Sequence, residues 1–293
     1  MPDPKRFHVL VATDGSMSAQ IALMTAVRFP WPAGADGSIV VAKYARSELQ
    51  RSVLLVTLDR LADVTAVREA RILRRRWPDG QARVVKAAPI QGIVAEARRV
   101  KADVVVVGWR GHGPLQRLLA GSVSRGVAKR GPCSVLVVRE TRRAFRRIVI
   151  GIDGSPHSAR ALEFLTTVTP PRGGRVTLLQ AVDMMPVPRQ GLAPAALRAS
   201  VAADVARINR ERHSAARECL EEAARTLSAA GWKVDQMTTV GAPLRALLAT
   251  VAKTRADVLI VGARGVTGVR RVLLGSVAEG ACHASPVPVL IVR

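Results

Sequence analysis

A loop written twice limits what this 293-residue chain can fold into more than any other feature. The first copy is Val107-Gly108-Trp109-Arg110-Gly111, nine further residues, then Gly121-Ser122. The second is Val261-Gly262-Ala263-Arg264-Gly265, nine residues, then Gly275-Ser276. Both obey G-x2-G-x9-G-S and both follow a short apolar run, Val104-Val105-Val106-Val107 or Val258-Leu259-Ile260-Val261. Runs of that length and β-branched content suit buried strands. The residues after each Gly-Ser, Val123 to Lys129 and Val277 to Cys282, read as short helices. A strand–loop–helix unit therefore recurs, and two similar domains are expected.

The chemistry of such a loop suits phosphate. Glycines let backbone amides approach a ligand and adopt positive φ without steric cost. A helix that starts at Gly-Ser presents unpaired N–H groups and the positive end of its dipole. Ser122 and Ser276 can cap those helices or donate to a phosphate oxygen. Arg110 and Arg264 occupy the same place in each loop and supply a forked cationic donor. Any strand-to-helix turn needs glycines, so one copy would say little. Two copies with the same spacing, arginine and serine favour phosphate binding.

The rest of the chain repeats around these loops. Each half opens with a strand ending in Asp-Gly-Ser, Val9 to Ser16 and Ile148 to Ser155, and closes with a strand, Ser134 to Arg139 and Pro288 to Arg293. Ser16 or Asp14 can cap the helix from about Ser18 to Phe29. Between them the first half reads as strand Ser38–Tyr44, a long basic helix from about Glu48 to Trp77, strand Ala82–Lys86 and a helix from Pro89. The second half repeats this order with an extra Pro-rich loop around Met184 to Pro194. Asp103 caps nothing obvious. Strands alternating with helices predict an α/β fold, each half a mostly parallel five-stranded sheet covered on both faces. Residues 1–140 and 147–293 are the expected domains, with 141–146 a polar, basic linker.

Taken together, these motifs resemble the universal stress protein family in its ATP-binding branch, over nearly the whole chain. The resemblance implies tandem flavodoxin-like or Rossmann-like αβα sandwiches that pair through their last strands, with a homodimer as a further association. It implies a cytoplasmic ATP-binding regulator of stress response or dormancy, with ATP bound alone or with Mg. The nucleotide contacts it implies in the first half are Ala12, Asp14, Tyr44, Val107, Gly108, Arg110, Gly111, Gly121, Ser122 and Val123. In the second half they are Gly151, Asp153, Ala181, Val261, Gly262, Arg264, Gly265, Gly275, Ser276 and Val277. Asp14 and Asp153 would hold the ribose end, and the loops the phosphates. The chain departs from the family at Tyr44, where a small or β-branched residue is usual, and at Ala87-Ala88-Pro89, where Gly241-Ala242-Pro243 keeps the usual glycine. Both departures fall in the first half.

Composition narrows the alternatives. Nearly half the residues are apolar, which suits a globular chain. No apolar run is long enough for a membrane span, and Met1 to Arg6 lack the apolar core of a secretory signal. Cys133, Cys219 and Cys282 show no metal-ligand spacing. His112 stands alone in its loop, without a nucleophile or carboxylate beside it. The net charge of +23 is spread over both halves and favours anionic partners. Four tryptophans, four phenylalanines and one tyrosine give no stacking platform for bases. A specific nucleic-acid binder therefore rests on charge alone. A slow ATPase or phosphotransferase is the other competing reading. Neither loop has the Gly-Lys-Ser/Thr of a P-loop and no acidic pair is nearby, so binding without useful turnover is preferred.

Overall fold

A computed structural model describes residues 6–43, 53–109, 121–139, 145–186, 195–265 and 274–293. The first half runs β1 (His8–Thr13), α1 (Met17–Arg28), β2 (Asp36–Lys43), α2 (Val53–Leu73), β3 (Ala82–Lys86), α3 (Pro89–Arg99), β4 (Val104–Gly108), α4 (Ser122–Arg130) and β5 (Ser134–Val138). The second runs β6 (Arg147–Gly151), α5 (Pro156–Thr166), β7 (Arg175–Val182), α6 (Ala195–Ala229), β8 (Lys233–Val240), α7 (Pro243–Thr254), β9 (Val258–Gly262), α8 (Ser276–Ala284) and β10 (Val289–Val292). All strands join one ten-stranded sheet of order β3-β2-β1-β4-β5-β10-β9-β6-β7-β8. Within each half the strands are parallel and follow the same doubly wound order. At the seam, β5 and β10 pair antiparallel, with Leu136 opposite Leu290. The carboxyl ends of the two sets of strands therefore emerge on opposite edges of the sheet.

Burial on both faces explains why the strands read as continuous apolar runs rather than alternating ones. Val9, Val11, Val104, Val106, Leu136, Leu290 and Val292 point to one side and pack with residues of α1, α2, α5 and α6. Their neighbours Leu10, Val105, Val107, Val135, Val137, Val289 and Ile291 point to the other, against α3, α4, α7 and α8. Each fully buried Val, Leu or Ile contributes about 1.5–3 kcal/mol by leaving water. No helix among the described residues is long and apolar enough to cross a membrane.

Several local expectations need correction. The regular helix ends at Leu73, not Trp77. Arg74 still donates its N–H to the Ala70 carbonyl at 2.9 Å, but Arg75 and Arg76 tighten into turn bonds to Ile72 and Leu73. The Arg74 Nε donates to the Gly80 carbonyl at 3.1 Å. Trp77 instead packs on Gly37, where an added Cβ would lie 2.5 Å from the indole. Asp103 is not idle. Its Oδ2 accepts the His8 N–H at 2.9 Å, and the matching Asp257 accepts the Arg146 and Arg147 N–H groups at 2.9 and 2.8 Å. Each aspartate thus fixes the start of the strand beside it. The expected linker is not polar throughout either, because Phe145 is buried against Phe29 with ring centroids 4.9 Å apart.

The seam gives a direct test. Leu136→Ala or Leu290→Ala should lower stability by about 2–5 kcal/mol, the range for emptying a packed core position. Urea unfolding of each variant reads this, and a loss under about 1 kcal/mol would contradict the packing at the seam.

Candidate functional site

Strand order reverses between β1 and β4 in the first half and between β6 and β9 in the second. Ligands of open α/β sheets bind at the carboxyl ends of strands at such a point. Ala12 lies opposite Val107 there, and Gly151 follows the matched pair Ile150–Ile260. Just beyond, each first strand enters its Asp-Gly-Ser turn, made possible by positive φ at Gly15 and Gly154 (77° and 74°). Asp14 Oδ1 accepts the Ser16 N–H and Asp153 Oδ1 the Ser155 N–H, both at 3.0 Å. The helix caps are the serines. Ser16 Oγ accepts from the Ala19 N–H and Ser155 Oγ from the Ser158 N–H. The aspartates are therefore held in place by the turn without serving as the caps.

In the second half the glycine loop closes onto this turn. A Cβ on Gly262 would meet the His157 backbone at 2.9 Å, so the first loop glycine is required for α5 to pack on the sheet. Gly108 does the same for Ser18 on α1. Gly265 faces the Asp-Gly-Ser turn: a Cβ there would stand 2.5 Å from Asp153 Oδ2. Ser155 donates its hydroxyl to the Arg264 carbonyl at 3.1 Å, and the Gly275 N–H donates to Ala263 at 2.8 Å. These contacts bring Asp153, Arg264, Gly265 and Gly275 together at the start of α8. Neither α4 nor α8 has a side-chain cap, because glycine occupies the N-cap and the exposed Ser122 and Ser276 are the first helical residues. Val123 and Val277 are half-buried in the first turns of these helices.

The electrostatic field around Arg264 is positive. Its buried Nε makes no hydrogen bond among the described residues. Burial holds the His157 imidazole below its ordinary range, and Arg160, Arg264 and Arg293 reinforce the shift against the opposing charge of Asp153. Such a cluster suits an anion.

The two sites are not copies. Trp109 stands where the second half has Ala263; it is buried, and a Cβ on Gly121 would lie 3.1 Å from its ring. Gly121 adopts φ 84° there, whereas Gly275 is extended at −72°. Behind the Asp14 turn, α2 buries Glu69 completely. Its Oε1 pairs with Arg68 at 3.3 Å, and its buried Oε2 has no partner among the described residues. Burial pushes this carboxyl up, against the opposing pull of Thr13 and Arg68. Tyr44, Arg110, Gly111 and His112 lie outside the described residues. Ala181 is half-buried near the end of β7, opposite Thr239 of β8.

Sequence reasoning passed over Glu69 and Trp109. Comparing the repeats position by position would have exposed both, since each marks a place where the halves differ. No disulfide joins any of the three cysteines. Cys282 is the most buried of them, its thiol pushed up to about 12 by burial.

Comparison with known proteins supports the same architecture. The profile of the universal stress protein family matches twice, over residues 5–139 and 144–293. A universal stress protein of Mycobacterium tuberculosis is 29% identical over 206 residues, which cover 66% of this chain and 62% of the relative. The match thus spans about three fifths of that relative's length. A universal stress protein structure from Archaeoglobus fulgidus aligns over 98% of both chains with a TM-score of 0.68 at 20% identity. A universal stress protein in complex with cAMP covers 46% of this chain at 31% identity, with a TM-score of 0.38.

Glu69 generates a prediction with a definite sign. A carboxyl raised on folding contributes stability that is full below its unfolded value and is lost as pH rises through the folded value. Glu69→Gln should therefore gain on wild type as pH rises above the ordinary carboxylate value of about 4.5, because the raised, buried carboxyl must then ionise in the folded state. Thermal unfolding across that rise in pH measures the gap. A gap independent of pH would show that Glu69 titrates like an exposed carboxyl.

Proposed function

This chain belongs to the universal stress protein family, and from that membership we propose that it binds ATP at both edges of its sheet as a nucleotide-dependent regulator. One observation carries the reading: Asp153 Oδ2 lies against the side-chain-free Gly265, beside the uncapped start of α8. An acceptor for ribose hydroxyls then adjoins a set of phosphate donors. Asp153 would hold the ribose. The first-turn amides of α8, the Ser276 hydroxyl and the Arg264 guanidinium would receive the phosphates. Mg would arrive on the triphosphate, since no cluster of three or more metal-ligating side chains lies among the described residues. Binding without useful turnover is favoured because neither loop carries the P-loop lysine that cradles phosphates in phosphoryl transfer.

Two substitutions separate the two ends of the ligand. Arg264→Ala should weaken ATP at the second site about tenfold and leave adenosine nearly unchanged, as expected for one charge-assisted hydrogen bond. Asp153→Ala should weaken both ligands. Calorimetry with ATP, adenosine and cAMP reads this, alongside identification of any nucleotide released on denaturing the purified protein. Equal losses for ATP and adenosine in Arg264→Ala would make that arginine structural. A preference for cAMP would overturn the triphosphate assignment.

A further inference from the structure

Two arginines cross the seam in opposite directions. Arg139 follows β5, and its Nη2 donates to the carbonyls of Cys282, at 3.1 Å, and His283 in the last turn of α8. Arg293 follows β10, and its Nη2 donates to the carbonyls of Ala128 and Lys129, the latter at 3.3 Å, in the last turn of α4. Each half thus holds the C-terminus of the helix whose N-terminus begins the other half's glycine-loop site. Lys129 and Glu279 add a direct ion pair between α4 and α8 at 2.6 Å.

Each arginine is also tied to the loop of its own half. The Trp109 N–H donates to the Val138 carbonyl at 2.8 Å, and the Arg139 guanidinium lies 3.8 Å from the centroid of the Trp109 ring. In the second half the Ala263 N–H donates to the Val292 carbonyl at 2.7 Å. Burial lowers the Arg293 guanidinium's affinity for its proton, and the charge of Arg264 adds to the effect.

We propose that Arg139 and Arg293 are positioning residues, each for the nucleotide site of the opposite half, and that they couple the two sites. The proposal rests on the nucleotide reading above. A nine-residue helix is only about 13 Å long and hydrogen-bonded along its length. Fixing its C-terminus therefore fixes the direction in which its first-turn N–H groups point. A cation at the last carbonyls is favourable within the final turn, more so when partly buried. Coupling of this kind is reciprocal, so ATP at either site should change the affinity of the other by the same factor.

The test isolates one site at a time. Asp14→Ala leaves the second site, and adding Arg139→Met should weaken its ATP binding about threefold to tenfold. Asp153→Ala leaves the first site, and adding Arg293→Met should weaken that one by a similar factor. Lysine at either position, which keeps the charge, should recover part of the loss. In nucleotide-free protein, Arg293→Met should speed hydrogen exchange along α4, and Arg139→Met along α8. Wild type that binds ATP while the opposite sites stay within about twofold of their parents overturns the proposal. So does a loss confined to the site of the arginine's own half. Wild type that binds no ATP overturns the nucleotide reading, and the coupling with it.

Discussion

The antiparallel pairing of β5 with β10 is the constraint on which the rest of the molecule depends. Leu136 and Leu290 face each other across it on one side of the sheet, and the helices of both halves pack over the layer they share. Because the pairing reverses strand direction, one glycine loop opens at each edge. The same reversal sets α4 beside α8, so that Lys129 reaches Glu279 and the terminal arginines reach across. A parallel seam would have put both loops on one edge and separated these contacts.

Within each half, sites form where backbone geometry leaves no room for side chains. Gly108 and Gly262 admit the first turns of α1 and α5, and in the second half that approach lets the Asp153 turn meet the loop at Arg264 and Gly265. The aspartates are oriented by their own turns and the serines take the capping role. A small number of exclusions therefore places Asp153, Gly265 and the start of α8 together.

Much of this architecture was legible in the chain. Continuous apolar runs announced strands buried on both faces, and the repeated loop announced the duplication. The turns at Asp14 and Asp153 were visible because aspartate, glycine and serine each have a local backbone role there. Contacts between residues far apart in the chain were not legible. Asp103 and His8 are joined by a hydrogen bond that no periodicity reveals, and the same holds for Arg139 and Cys282. Glu69 looked like one charge on a basic helix, because its burial depends on where α2 meets the Asp14 turn. The residues beyond Leu73 carried helical propensity, yet they tighten into turn bonds just ahead of Pro78, with Trp77 packed on Gly37.

Fusion of the two halves in one polypeptide releases them from the rule that governs a symmetric pair. In a two-fold dimer every substitution appears twice, on both sides of the axis. Here Trp109 sits on one edge and Ala263 on the other, and α2 carries Glu69 where the same stretch of α6 supplies buried alanines. A single change in the chain replaces the residue on one edge and leaves the matching position on the other as it was. The two mouths of the sheet can thereby differ in shape within one chain, a buried indole walling one and a methyl group the other.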